Sequence, residues 1–365
     1  MNKINTLDNL YIQKSTKFMN ILQKFINKEG SNAIFGAGDF GRKVCTKLQS
    51  LDYEVECFFD NNHDLDNTII NNLKVFSSKK LSNNISNLII ASTWYPEIVK
   101  KLKEENIFKG NIIIIDPWFD IFNMNPSIDD LIKLNNFYLK LNDEKSKNTL
   151  INVIESRVTF NSIIESPYSQ YFNHNVQIEE ADVFIDGGAY NGDTVFEVGK
   201  NFSNLEIHCF EPEDKNYEEL IKNCKESKNK IKINKFGLWK EDSILRFSSS
   251  EKACSLGARI ELDGDVIINT TSIDKYCNEN NVKPNFIKLD VEGAEKEAIF
   301  GAKEIIKKYK PKLAIAVYHK YDDLWNIPSY LHEICSSYTF YLGHHSDRWY
   351  ETILYAVEKE GELDV

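Results

Sequence analysis

Short apolar runs alternate with stretches whose apolar residues recur three and four apart, and this rhythm is played twice along the chain. In its first appearance, Asn32-Ala-Ile-Phe, Val55 to Phe59, Leu88-Ile-Ile-Ala-Ser and Asn111-Ile-Ile-Ile-Ile-Asp read as buried parallel strands. Helices over Arg42 to Ser50 and Pro96 to Glu105 separate them. In its second, the strands are Val183-Phe-Ile, Leu205-Glu-Ile-His-Cys-Phe, Ile231-Lys-Ile-Asn-Lys-Phe, Asn285-Phe-Ile-Lys-Leu and Lys312-Leu-Ala-Ile-Ala-Val-Tyr. Helices are predicted from Thr194, over Tyr217 to Lys225, and over Ala294 to Lys308. Leu245-Arg-Phe and Val266-Ile-Ile form an inserted ribbon around a polar loop, Ser248 to Gly257, expected to be mobile; Tyr338 to Leu342 and Thr352 to Val357 supply the last strands.

Between the two rhythms, Ile128 to Leu139 and Thr149 to Ile154 carry helical periodicity. The polar turn Asn142 to Asn148 between them is a plausible domain boundary. Ahead of the first rhythm, apolar positions 18, 19, 21, 22, 25 and 26 predict an amphipathic helix that packs on the next domain or on a second subunit of a homo-oligomer. The expected organisation is a helical segment (1–30), a small Rossmann-like doubly wound α/β domain (31–120), a helical linker (121–180) and a second Rossmann-like α/β sheet (181–365).

Each rhythm places a glycine loop after its first strand. In the second, Asp186-Gly-Gly-Ala-Tyr-Asn-Gly-Asp-Thr194 is strand, tight turn and helix start; its glycines let backbone N–H groups approach a ligand. Glu211-Pro212 ends the next strand, about 20 residues on, where an acid accepts hydrogen bonds from both hydroxyls of a ribose. Carboxylates at Asp186 and Asp193 would repel a pyrophosphate but suit an ammonium and a sulfonium, so the loop reads as an S-adenosylmethionine site. The candidate cofactor residues are Asp186, Gly187, Gly188, Tyr190, Asn191, Gly192, Asp193, Thr194, Glu211, Pro212, Gly237 and Asp290.

Residues from about Asp182 onward resemble the FkbM family of class I methyltransferases. Asp186 to Thr194 matches its first motif and Phe210-Glu211-Pro212 its second; Thr270-Thr-Ser-Ile-Asp274 and Ile287-Lys-Leu-Asp-Val-Glu-Gly-Ala-Glu295 match later ones. The resemblance implies a class I sheet closed by an antiparallel hairpin, an adenine ring near Gly237, and transfer of a methyl group to a hydroxyl. Residues 31–120 are similar to the small amino-terminal domain of some bacterial sugar-modifying enzymes. That similarity implies a nucleotide or sugar-nucleotide site at Gly36, Gly38, Gly41 and Asp60, where Gly36-Ala-Gly-Asp-Phe-Gly41 is a complete G-x-G-x-x-G. Together the two suggest a sugar, glycan or nucleotide-linked sugar acceptor in surface polysaccharide synthesis.

Composition narrows this further. A net charge of −11 over 365 residues argues against nucleic acid as a partner, because phosphate binding needs basic surface. The first 30 residues are polar and no apolar run reaches membrane length, so neither a signal peptide nor a membrane span is expected. Seven dispersed cysteines without a Cys-x-x-Cys pair suit reduced thiols in a cytoplasm and no structural zinc.

The strand endings Asp186, Glu211, Gly237, Asp290 and His319 make one rim. Methyl transfer to a hydroxyl needs alignment and a proton acceptor, for which Asp290 and His319 are candidates, with Glu292 beside them. Histidine's ordinary pKa of about 6.5 suits that role. His344-His345-Ser-Asp347 reads as a loop flanking the acceptor and not as a metal set. Tyr318, Tyr321, Trp325 and Trp349 could present faces to a sugar ring, although aromatics this frequent are more often core; Gln170 and the tyrosines around it could cover the cofactor or touch the acceptor, with interdomain packing the preferred reading. Two other readings compete: an NAD(P)-dependent oxidoreductase using Gly36 to Gly41, and a non-catalytic binding or assembly protein.

Overall fold

The computed structural model describes residues 31–359 apart from 51, 82–83, 93, 116–126, 160–162, 249–258 and 261–265. The helix expected within 1–30 and the polar loop expected beyond Ser248 lie outside the described residues. The chain divides into two compact units, one within Met1–Ser127 and Val153–Ser162, the other Ile128–Asn152 with Ile163–Val365. No helix among the described residues is long and apolar enough to cross a membrane.

The first unit runs β1 (Asn32–Phe35), α1 (Asp39–Ser50), β2 (Cys57–Asp60), β3 (Ile69–Ile70), β4 (Leu73–Ser77), β5 (Asn87–Ile90), α2 (Tyr95–Glu104) and β6 (Asn111–Ile114). Its sheet has the order β3-β4-β2-β1-β5-β6, with only the β3–β4 pair antiparallel. Four of these strands follow from the apolar runs. The β3–β4 hairpin does not, because its strands are short and Ile69 is exposed. Its signal is Asn71-Asn72, both left-handed at φ 49° and 61°, as a two-residue hairpin turn requires. Ile34, Val44, Leu48, Phe58, Val75 and Ile89 fill the core. At the strand starts, side-chain amides form a ladder: the exposed Asn111 donates to the buried Asn87 (2.9 Å), which donates to the buried Asn32 (2.8 Å).

The second unit opens with α3 (Ile128–Lys140) and the part of α4 (Glu144–Thr159) up to Asn152, then β7 (Val183–Gly187), α5 (Asp193–Gly199), β8 (Glu206–Phe210), α6 (Asp214–Asn223) and β9 (Lys230–Asn234). Next come β10 (Gly237–Leu238), β11 (Ser243–Ser248), β12 (Arg259–Ile260), β13 (Val266–Thr271), α7 (Ile273–Asn280) and β14 (Phe286–Leu289). The chain closes with α8 (Glu295–Phe300), α9 (Lys303–Tyr309), β15 (Lys312–Ala316), α10 (Asp323–Ile334), β16 (Tyr338–His344) and β17 (Thr352–Glu358). The main sheet has the order β16-β17-β15-β14-β7-β8-β9; β17 runs antiparallel to both neighbours. This is the class I methyltransferase arrangement. The expected ribbon is part of a separate sheet, β10-β13-β11-β12.

The single helix expected over Ala294 to Lys308 is two. Gly301 lies so close to Trp239 that a Cβ there would stand 2.1 Å from its carbonyl oxygen, and the helix turns at that contact. Asp274, from a family-like motif, then caps α9 by accepting the N–H groups of Glu304 (3.0 Å) and Ile305 (2.8 Å). The polar turn after α3 covers the outer strand β16: Leu141 bridges Phe340, Asn142 N–H donates to the Phe340 carbonyl (3.0 Å), and Ser146 Oγ accepts Leu342 N–H (3.0 Å). A covered edge cannot template pairing with another chain.

Candidate active site

The site lies where the strand order reverses, at the carboxyl ends of β7 and β14 with β8 and β15 beside them. The glycine turn after β7 is held on three sides. Gly188 and Ala189 N–H both donate to the Phe210 carbonyl (3.0 Å each), Tyr190 N–H donates to Glu211 Oε2 (3.0 Å), and Gly188 O accepts Lys288 Nζ (2.7 Å). The amides of Gly188, Ala189 and Tyr190 are therefore satisfied internally, and Gly188 serves close packing. Gly188 has φ 74°, and a Cβ on it would stand 1.8 Å from the Asp290 carbonyl oxygen.

Asp186 takes a different role from the one expected. It is fully buried beneath the turn and 3.0 Å from Lys288 Nζ, its register neighbour on β14. Burial works against the Lys288 charge, but Asp186 first, then Asp290 and Asp193, outweigh it and hold the ammonium well above the usual lysine range. The carboxylate expected to meet a ligand ammonium already has its cation. Asp193, at the start of α5, stays exposed, with Thr194 buried behind it; Asn191 is half-buried and Gly192 adopts φ 91°.

Glu211 is 6% exposed and its two oxygens each accept one backbone N–H, from Tyr190 and from Glu213 (2.9 Å). Burial pushes its carboxyl up to about 7. Pro212 and Gly237 stand side by side on the same rim, since a Cβ on Gly237 would lie 3.7 Å from the proline ring.

Across the rim, four acids gather around His319. Its Nδ1 is 2.9 Å from Glu295 Oε1, and its Nε2 is 3.3 Å from Glu292 Oε2 and 3.6 Å from Asp290 Oδ1. Burial opposes the imidazole's charge, yet Glu295 and then Glu292 outweigh it and raise its pKa well above the ordinary value. The acids around it thus favour the protonated imidazole. Asp290 accepts the hydroxyls of Tyr171 (3.2 Å) and Tyr318 (3.1 Å). The fourth acid is Glu351, whose carboxyl is raised to about 7 by burial and then by Asp290, and which Gln170 holds through its amide.

Sequence reading missed Lys288, Glu295 and Glu351 in these roles, and for Gln170 and Tyr171 it preferred interdomain packing over a place beside the acceptor. Tyr171 and Glu351 share a backbone signal with Tyr190 and Glu292: all four are left-handed, at φ 68°, 68°, 47° and 56°. Strain of this kind gathers at functional sites. Trp325 and Trp349 are each 1% exposed and belong to the core, not to a sugar face; Tyr321 packs edge-on against Trp325 at 5.0 Å. His344 and His345 are occupied by Thr352 Oγ1 (2.8 Å) and by Tyr355 OH (2.8 Å), while Asp347 is exposed.

In the first unit, Gly36 (φ 108°) and Gly41 make the tight turn: a Cβ on Gly41 would lie 1.9 Å from the Gly36 carbonyl oxygen, whereas Gly38 faces open space. Asp60 accepts the N–H groups of Ala37 (2.7 Å) and Asn62 (2.8 Å). This repeats the Glu211 arrangement, in which a strand-end acid staples the glycine turn of the neighbouring strand.

Residues 186–346 match the methyltransferase FkbM domain model, and residues 31–113 match the C2185-like amino-terminal domain model. The chain is 26% identical over 122 residues to hexuronic acid methyltransferase AglP of Haloferax volcanii, a match covering 31% of this chain and 51% of that protein. It thus spans about half the length of that curated relative. The crystal structure of methyltransferase FkbM from Methylobacillus flagellatus KT superposes with a TM-score of 0.69 at 18% identity, covering 97% of this chain and 100% of the other. From Asp186 to Ser346 the chain is thus similar to methyltransferase FkbM domains, and from residue 31 to 113 to C2185-like amino-terminal domains.

Proposed function

We propose that the protein is an S-adenosylmethionine-dependent O-methyltransferase acting on a hydroxyl of a sugar, a glycan or a nucleotide-linked sugar, with a role in surface polysaccharide synthesis. The observation that carries the reading is the shared rim, with Glu211 and the glycine turn on one side and the Asp290 cluster packed against that turn on the other. The chain's likeness to a hexuronic acid methyltransferase supports a sugar acceptor.

The residues fit the cofactor. Each Glu211 oxygen accepts one N–H and keeps a lone pair for a ribose hydroxyl. Gly188, Tyr190, Asn191, Gly192, Asp193, Thr194, Pro212 and Gly237 surround that position. When bound, S-adenosylmethionine supplies a methyl group already activated by its sulfonium. The chain's own work is to align the acceptor hydroxyl and take its proton. Glu351, whose carboxyl burial and then Asp290 push up to about 7, stands beside Asp290 for that purpose. Glu292 and His319 set the charge beside it. In the amino-terminal domain, Gly36, Gly38, Gly41 and Asp60 are proposed to face a nucleotide or sugar nucleotide.

Calorimetric titration with S-adenosylhomocysteine tests the central claim. The wild type is expected to bind at micromolar concentration, and Glu211→Ala to lose that binding. A wild type that fails to bind removes the reading, and NAD with UDP-sugars then becomes the assay for Gly36 to Gly41.

A further inference from the structure

We propose that the first unit binds a ribonucleoside diphosphate with an unsubstituted ribose at the carboxyl ends of β1, β2 and β5, with Arg42 on the phosphates, Asp60 and Ser77 on the ribose and Trp94 against the base. The inference rests on the reading of this domain as a nucleotide or sugar-nucleotide site and narrows it to one class of ligand. It starts from the middle glycine of the turn. Gly36 is required by its φ of 108° and by the Ala91 carbonyl oxygen, 2.6 Å from where a Cβ would stand; Gly41 is required by the Gly36 carbonyl. Gly38 is required by neither kind of constraint: it is not left-handed, and a Cβ on it would meet nothing within 4 Å. A glycine that the fold does not need leaves its backbone bare to something outside the chain. In a turn of this kind the middle glycine is where a diphosphate comes closest.

The groups around the turn match such a ligand. The strand order reverses at β1, which puts the turn between the ends of β2 and β5. Gly36 N–H donates to the Phe59 carbonyl (2.8 Å) on one side, and Gly36 packs on Ala91 on the other. Arg42 is fixed at the turn by its Nε, which donates to the Ala37 carbonyl (3.1 Å). Its side chain stays 45% exposed, with the Asp39 carboxylate 3.8 Å away. A guanidinium anchored in this way has further N–H groups to offer phosphate oxygens.

On the β2 side, each Asp60 oxygen accepts one N–H, from Ala37 and from Asn62, and keeps a lone pair for a ribose hydroxyl. Register sets Ser77 beside Asp60 on the neighbouring strand. Ser77 is 6% exposed, and its Oγ has no hydrogen-bond partner among the described residues. Buried hydroxyls are ordinarily paired, and a ribose oxygen held at Asp60 would supply the partner. On the β5 side, Trp94 is 62% exposed, with its backbone N–H donating to Ser92 Oγ (3.1 Å). An exposed indole offers a flat face on which a base can stack. The Asp60 carboxylate repels a 2′-phosphate, so the class is one with both ribose hydroxyls free, as in a UDP-sugar or NAD.

Calorimetric titration of the full chain with UDP-N-acetylglucosamine and with NAD separates these two sources. Each is compared with its altered ribose, 2′-deoxy-UDP-N-acetylglucosamine and NADP. Micromolar binding of one natural ribose is expected, weakened roughly tenfold or more by the alteration. Gly38→Ala should weaken it about as much while the melting temperature stays unchanged or rises slightly, because the new methyl meets nothing inside the protein. Trp94→Ala should cost about tenfold in affinity, and Trp94→Phe should recover most of it. Unchanged affinity in Gly38→Ala or Trp94→Ala, or equal binding of natural and altered riboses, overturns the proposal and leaves the broader nucleotide reading. A wild type that binds neither nucleotide removes both, while S-adenosylhomocysteine binding, measured alongside, decides the methyltransferase reading separately.

Discussion

Burial raises the Glu211 carboxyl to about 7 even though Glu213 and Tyr190 donate N–H groups that favour its ionised form. Ribose hydroxyls would add donors on the same side, so the cofactor binds the carboxylate and competes with a proton. The sign follows: affinity is full above pH 7 and falls as pH drops below it. S-adenosylhomocysteine binding should weaken about tenfold between pH 8 and pH 6, a slope that Glu211→Gln should flatten when measured by calorimetry. Lys288 makes a second prediction. Lys288→Met leaves Asp186 buried without its cation and should cost about 3–5 kcal/mol, most of it recovered in Lys288→Met/Asp186→Asn. Urea unfolding of the two single variants and the double one checks this, and additive losses would deny the pair. The acids at both strand ends were legible in the sequence because position in the α/β alternation marks them. Their partners were not: Lys288 reads as one polar residue in a strand until register sets it beside Asp186.

At the scale of elements, the turn between β7 and α5 joins the cofactor rim to the Asp290 cluster. Gly188→Ala would have to hold φ 74° and displace the Asp290 backbone, at a cost of at least about 2 kcal/mol. A lowered melting temperature together with lost S-adenosylhomocysteine binding is expected; unchanged binding would uncouple the turn from the site. Most strands were legible because each is an apolar run closed by a polar or glycine residue. The β3–β4 hairpin was legible only through Asn71-Asn72, and the break at Gly301 not at all, since its cause is the remote Trp239 carbonyl.

At the scale of the whole molecule, the helices expected as a linker are divided by their packing. Leu134, Phe137, Tyr138, Leu141 and Leu150 are buried, Trp325 Nε1 donates to Asp130 (2.8 Å), and the turn after α3 covers β16. Losing side chains worth about 1.5–3 kcal/mol each would consume a typical stability of about 5–15 kcal/mol. A chain beginning at Ala181 is therefore expected to aggregate or melt early, whereas one beginning at Ser127 should retain a cooperative transition by circular dichroism.

The sequence by itself determined the two α/β repeats, the strand ends where ligands gather and the glycine turns, because these depend on local periodicity and on residues adjacent in the chain. Only the tertiary structure decided which acids face which cations. His319 is surrounded by Asp290, Glu292 and Glu295, while Glu351 and Tyr171 arrive from distant segments. Proton affinity depends on burial and on the charges within a few ångströms, and those neighbours are chosen by folding.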